Sequence, residues 1–116
     1  AKMANTFKLK TKASLTTSLA AVYTVPSSKT AIILSISLAN KTGNSVTASV
    51  QISSDTSDTE TNADAYLLST APVPSGGTLE VMQGNKLVLQ TTDVLKAKAS
   101  TGSAVDIIVS LMEMDV

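Results

Sequence analysis

The chain has 116 residues, 43% of them hydrophobic but only 3% aromatic, so one domain with an aliphatic core is expected. It contains no Cys, His or Arg, which excludes disulfides, thiolate or imidazole metal ligands, Ser-His-Asp and Cys-His catalysis, and bidentate phosphate recognition by Arg. Nine Lys balance nine Asp and Glu, and this neutral balance speaks against nucleic acid or an anionic membrane as a partner.

Apolar and polar residues alternate along most of the chain, and a period of two predicts half-buried antiparallel strands. The first two candidates are residues 7–15 and 20–25. In the third, residues 31–38, we expect the even positions to share the buried face: Ile32, Leu34, Ile36 and Leu38.

The remaining candidates follow at short intervals. In residues 45–53 the expected inner set is Val46, Ala48, Val50 and Ile52. Shorter candidates span residues 65–69, 78–82, 86–90 and 93–99. In the last strand, the inner set is Val105, Ile107, Val109 and Leu111, opposite the side chains of Asp106, Ile108, Ser110 and Met112.

Turn residues separate these segments at near-regular spacing. Gly43-Asn44 and Gly84-Asn85 suggest hairpins, because both residue types tolerate the positive φ of tight turns. The pattern predicts an all-β fold, a single antiparallel β-sandwich that is jelly-roll-like, with about nine short strands. We expect residues 1–12 to form an N-terminal arm and possible edge strand, and residues 13–116 the sandwich domain.

Lysines alternate with other residues in the first strand, which puts Lys8, Lys10 and Lys12 on one face with Lys2 just upstream. Two interpretations stand side by side. Lys on an edge strand discourages sheet-to-sheet aggregation, and the same charges suit an arm that docks on an acidic neighbouring subunit.

The stretch of residues 53–64 is polar, acidic and free of Gly and Pro. Its spacing fits no calcium-binding loop, and a flexible hydrophilic loop cannot desolvate carboxylates into a general acid and base pair. We expect a solvated connection, with contact to a cation or a partner as the alternative. No catalytic, cofactor-binding or metal-binding residue is predicted, and the chain is not expected to be an enzyme.

Apolar side chains on the outer side of the last strand, together with Ile33, indicate a patch for subunit contact. The predicted partner-contact residues are Lys2, Phe7, Lys8, Lys10, Lys12, Ile108, Met112 and Met114.

The order of segments resembles small structural proteins of tailed bacteriophage virions. The residues that carry the resemblance are the Tyr-Thr-Val-Pro turn at 23–26 leading into 30–40, and the segments 71–81, 84–89, 93–100 and 105–113. The resemblance implies a jelly-roll-like fold and a virion role. Head decoration or cement proteins are the best match, commonly trimers that bridge major capsid subunits on the outer capsid surface, in a protein made in the host cytoplasm.

Two alternatives stay open at this point. Neck, tail or fibre accessory proteins of the same virion share this sandwich style. A carbohydrate-binding or adhesin module is the second, although sugar sites usually use aromatic platforms and only Phe7, Tyr23 and Tyr66 are available. No apolar run approaches the length of a membrane span, and the first six residues lack the apolar stretch of a signal peptide.

Overall fold

A computed structural model describes residues 5–57 and 59–116. Within them lie nine strands: β1 (Asn5–Lys12), β2 (Ala20–Thr24), β3 (Lys29–Asn40), β4 (Val46–Ser53), β5 (Ala65–Val73), β6 (Thr78–Glu80), β7 (Leu87–Leu89), β8 (Val94–Ala99) and β9 (Val105–Asp115). Among the described residues there is no helix long and apolar enough to cross a membrane.

The strands form two antiparallel sheets that face each other. The first sheet has the order β1-β9-β3-β6, and β7 also pairs with β3 further along. The second sheet has the order β2-β8-β4-β5. Because β6 and β7 occupy one lateral position, the two sheets are effectively four strands wide, and the strand order is that of a jelly roll. The predicted all-β sandwich with about nine strands is confirmed.

Most connections cross from one sheet to the other, so consecutive strands rarely pair. The predicted hairpin at Gly43-Asn44 is wrong, because β3 and β4 belong to different sheets. Buried Asn40 shapes this crossing: its amide donates to the carbonyl oxygens of Asn44 and Val73, and its own carbonyl accepts from the Thr42 N–H and hydroxyl.

The predicted hairpin at Gly84-Asn85 is also wrong, because β6 and β7 both pair with β3 and not with each other. Gly84 does adopt a positive φ of 87°, and the Asn85 N–H donates to the carbonyl oxygen of Met82. Gly84 therefore has the predicted turn conformation, but the second residue with a positive φ is Gln83, at 50°, and not Asn85. The turn interrupts one edge strand instead of joining two neighbouring strands.

The core is the aliphatic layer between the sheets. In β9 the expected inner residues are all buried: Val105, Ile107, Val109 and Leu111. In β4 the expected inner set is buried as far as Val50, while Ile52 is half-buried. Ser49, on the opposite side of β4, is also buried, and its hydroxyl oxygen accepts the Thr70 N–H.

The central strand β3 departs from the expected face. A β-bulge between Ile33 and Ser35 shifts its register against β9, and one extra residue in a strand reverses which side chains point inward. The buried residues are therefore odd before the bulge (Ala31, Ile33) and even after it (Ile36, Leu38). The prediction that Ile32 and Leu34 share the buried face, and that Ile33 lies outward, is wrong.

Candidate functional site

The outer face of the first sheet carries a continuous row of apolar side chains. Met112 of β9 is paired with Phe7 of β1 and with Ile32 of β3, and Ile32 is paired with Val88 of β7. Paired residues project on the same side of an antiparallel sheet, so these four side chains cross four strands in line. Phe7 is 73% exposed and Val88 is 59% exposed.

Two further apolar residues widen this row. Leu9 is 64% exposed and Ile108 is 41% exposed. Leu9 lies two residues after Phe7 in β1 and Ile108 lies four residues before Met112 in β9, so both point to the same outer side of the sheet. We call the six residues the outer apolar face: Phe7, Leu9, Ile32, Val88, Ile108 and Met112. A single exposed apolar residue is ordinary on a protein surface, whereas a contiguous group marks a contact surface.

The predicted partner-contact residues divide between the two sides of the first sheet. Phe7, Ile108 and Met112 lie on the outer apolar face, and Met114 points to the same side of β9 and is half-buried, as Met112 is. The lysines of β1 lie on the inner side, because Lys8, Lys10 and Lys12 are paired with buried Leu111, Val109 and Ile107. Lys2 lies outside the described residues.

On the inner side, Lys8 takes part in a polar cluster at the rim of the core. Its ammonium lies 3.1 Å from Glu113 Oε1, and the Tyr23 hydroxyl donates to Glu113 Oε2 at 2.7 Å. Tyr23 is on β2 and Glu113 on β9, so this hydrogen bond joins the two sheets. Both side chains are buried, at 4% and 3% exposure.

Burial and hydrogen bonding act in opposite directions on this cluster. Burial raises the pKa of Glu113, but the hydrogen bonds from Tyr23 and Lys8 outweigh it and hold that pKa below the ordinary value. The pKa of Tyr23 is raised far above its ordinary value, first by burial and then by its bond to the carboxylate. The cluster is thus a structural ion pair with a satisfied carboxylate, and neither Glu113 nor Tyr23 is poised to exchange a proton near neutrality.

The acidic connection is anchored by a residue from another part of the chain. Asp93 Oδ1 accepts the hydroxyls of Ser54 and Thr56 at 2.6 and 2.7 Å, and Asp93 Oδ2 accepts the Gln90 N–H at 2.9 Å. Asp64 accepts the Ser54 N–H at 3.0 Å. Within residues 5–57 and 59–116, no group of three or more His, Cys, Asp or Glu could hold a metal ion.

A groove of about 290 Å³ opens between the edges of β5 and β7, on the side of the sandwich opposite β1. Tyr66 and Leu67 line it from β5, at 48% and 37% exposure, and Val88 lines it from β7. Sequence reasoning missed this groove. The available signal was the adjacent pair Tyr66-Leu67, because two neighbouring large side chains point to opposite faces of a strand and both are exposed here.

No protein-family model matches the chain, and no curated protein matches it. Among solved structures, it is similar to a chain of the Bacillus endospore appendages, a family of disulfide-linked pili, with a TM-score of 0.52 and 15% identity over 98% of this chain and 88% of that one. It is also similar to a chain of the T13 IBDV viral particle, with a TM-score of 0.57 and 12% identity.

The alignment with the viral chain covers 96% of this chain but 31% of the other, so the protein spans about a third of that chain's length. At these identities the likeness shows the fold alone. The β-sandwich found here therefore occurs in a chain from a viral particle and in a chain from a bacterial endospore appendage.

Proposed function

We propose that the protein is a non-enzymatic structural protein of a virion, and specifically a decoration protein that binds major capsid subunits on the outer surface of a phage head. The observation that carries the proposal is the outer apolar face. A patch of this kind, on a domain with an aliphatic core and a neutral net charge, is suited to a lasting contact with another protein.

The physical logic of such a role needs no chemistry. A protein that binds only the assembled shell stabilises the shell by mass action, in proportion to the logarithm of its concentration over its dissociation constant. Specific interfaces usually bury about 800 Å² on each partner. The outer apolar face crosses four strands of one sheet, so it offers a contact surface several strands wide for this purpose.

The two structural likenesses support different assemblies. A disulfide-linked pilus is disfavoured for this chain, because none of its 116 residues is Cys and it cannot form a disulfide link. The likeness to a chain of a viral particle agrees with the sequence resemblance to phage virion proteins.

Co-sedimentation with heads and, separately, with tails of the virus that encodes the protein tests the proposal. We expect the purified protein to sediment with heads. Replacing two residues of the outer apolar face, Phe7→Ser with Ile108→Ser, should weaken this binding at least about tenfold, because two large apolar contacts are lost. Val116→Ser is a matched control, since Val116 is 72% exposed but lies outside this face.

The outcomes are distinct. Binding to tails instead of heads would contradict decoration and favour a neck or tail position. A stable monomer that binds neither heads nor tails would refute the virion role. A double variant that binds heads as tightly as the wild type would show that the outer apolar face is not the contact surface.

A further inference from the structure

The outer face of the second sheet holds a small polar pocket of about 180 Å³. Lys98 of β8 is paired there with Ser49 of β4, so their side chains project on the same side of the sheet. The bulged part of β5 and the loop before β2 complete the pocket. Five hydroxyl side chains and one ammonium line it, and we call it the hydroxyl pocket: Thr17, Thr47, Ser49, Thr70, Lys98 and Ser100.

The charge of the hydroxyl pocket is positive and has no counter-charge nearby. The Lys98 ammonium forms no ion pair or hydrogen bond among residues 5–57 and 59–116. None of the four strands of the second sheet contains an acidic residue. The flanking loops, residues 13–19 and 100–104, contain none either. A concave site lined by charge of one sign attracts ligands of the opposite sign.

Two of the hydroxyls are arranged to donate. Ser49 Oγ accepts the Thr70 N–H at 2.9 Å, and Ser100 Oγ accepts the Thr47 N–H at 3.0 Å. A hydroxyl oxygen that accepts a backbone N–H directs its own hydrogen elsewhere, and neither hydrogen has an acceptor in the described part of the chain. Ser49 is only 2% exposed. Because a buried donor is costly to leave without an acceptor, this hydrogen favours a bound acceptor.

The backbone beside Ser49 is strained. Opposite Ser49, β5 contributes two residues, Ser69 and Thr70, where a regular strand would contribute one. Thr70 has a φ of 49°, and a β-branched residue in this left-handed region is a genuine outlier. Such bulges and strained residues are concentrated at functional sites and ligand clamps. Here the strained residue directs its N–H to Ser49, and this hydrogen bond sets the orientation of the buried hydroxyl.

From these features we infer that the hydroxyl pocket binds an oxyanion group, the chemistry shared by phosphate, sulfate and carboxylate. Lys98 supplies the charge, and the hydroxyls supply hydrogen bonds to oxygens that only accept. A cation is disfavoured by the ammonium and by the lack of carboxylates, and an apolar ligand would leave the hydroxyls without partners. The inference does not depend on capsid binding, since the outer apolar face lies on the other sheet.

An amide NMR titration with three small anions tests this site. Sodium phosphate, sulfate and acetate are added separately to the isotope-labelled protein near neutral pH, with the ionic strength held constant by sodium chloride. We expect the backbone N–H signals of Ser49, Thr70 and Ser100 to shift and to reach half-saturation at millimolar concentration, as suits a site with one charged group. Acetate binding would assign the site to carboxylates as well, and binding of phosphate or sulfate alone to tetrahedral anions. Either result supports the inference.

The ammonium is tested by a matched pair of substitutions. Lys98→Gln should weaken anion binding at least about tenfold, because a charge-assisted hydrogen bond is lost. Lys96→Gln is the control, since Lys96 lies on the same face of β8 two residues earlier and does not line the pocket. It makes the same change in net charge and should leave binding nearly unchanged. The NMR spectrum of each variant also shows that it is folded.

The hydroxyls are tested by Thr17→Val with Thr47→Val, which keeps the branched shape and removes two hydroxyls that form no hydrogen bond among the described residues. Binding should weaken at least about threefold. The inference is overturned if none of the three anions saturates the shifts below about 100 mM. It is also overturned if Lys96→Gln weakens binding as much as Lys98→Gln, or if the double valine variant binds as tightly as the wild type.

Discussion

Tyr23→Phe is the most informative single substitution, because it removes only the hydroxyl that joins the two sheets. That hydroxyl is buried and donates to Glu113 Oε2 at 2.7 Å. A hydrogen bond to a charged group contributes about 1.5–3 kcal/mol. We therefore expect the free energy of unfolding at neutral pH to fall by about 2 kcal/mol, and the Tm by about 8 °C in a domain of this size.

The loss should depend on pH with a definite sign. The pKa of Glu113 is held below its ordinary value of 4.5 when the protein is folded. Its ionised form thus stabilises the fold above that ordinary value, and this stabilisation disappears as the pH falls through the lower folded pKa. Since the Tyr23 bond is part of what lowers this pKa, the difference between wild type and variant should shrink as the pH falls from 4.5 through the lower folded pKa.

Urea unfolding of both proteins at about pH 7, 5 and 3, at equal and low protein concentration, measures this difference. Tyr66→Phe is the matched control: Tyr66 is 48% exposed, its hydroxyl has no hydrogen bond within the described residues, and the change should stay within about 0.5 kcal/mol. A Tyr23→Phe protein as stable as the wild type at neutral pH, or equally destabilised at every pH, would refute the reasoning.

Three further predictions concern the core, the acidic connection and a surface ion pair. In urea unfolding, Ile33→Ala should lower the free energy of unfolding by about 2–5 kcal/mol and Ile32→Ala by less than about 1.5 kcal/mol. The reason is that the bulge buries Ile33 and leaves Ile32 half-buried, and equal losses would contradict the bulge. Asp93→Ala should lower the free energy of unfolding by about 2–4 kcal/mol, because three hydrogen-bond donors lose their acceptor. The same substitution should speed proteolysis within residues 54–57 and 59–64. Unchanged cleavage would show that Asp93 does not hold this connection. The Lys41 ammonium, and then the Ser14 N–H, lower the pKa of Asp106. Lys41→Met should therefore cost less than about 1 kcal/mol at neutral pH, and acid titration of unfolding should show this cost disappear as Asp106 is protonated. A cost that persists once Asp106 is protonated would point to lost packing instead.

Local pattern was sufficient for much of the fold. Period-two alternation identified nine strands and placed the inner side of β9 correctly, because each of its eleven residues follows the pleat without interruption. The same pattern failed in β3. A bulge inserts one residue between Ile33 and Ser35, and an unbroken run of Ile and Leu gives no sign of where that residue lies.

The candidate site was foreseen in part. Phe7, Ile108 and Met112 are predicted partner-contact residues, and the structure places them on the outer apolar face; their contact with a partner stays a prediction. Val88 and Ile32 were missed, because their membership depends on which strands become neighbours of β9 and on the bulge in β3.

The sequence by itself determined the class of fold, the aliphatic core and the lack of Cys, His and Arg chemistry, because these follow from composition and from side-chain periodicity along each strand. Only the tertiary structure decided which strands pair, since strand order arises from contacts far apart in the chain. The tertiary structure placed Glu113 between Lys8 and Tyr23, and it set β1 and β5 on opposite sides of the sandwich. It also showed that the first of the two predicted hairpin turns crosses between the sheets and that the second interrupts an edge strand.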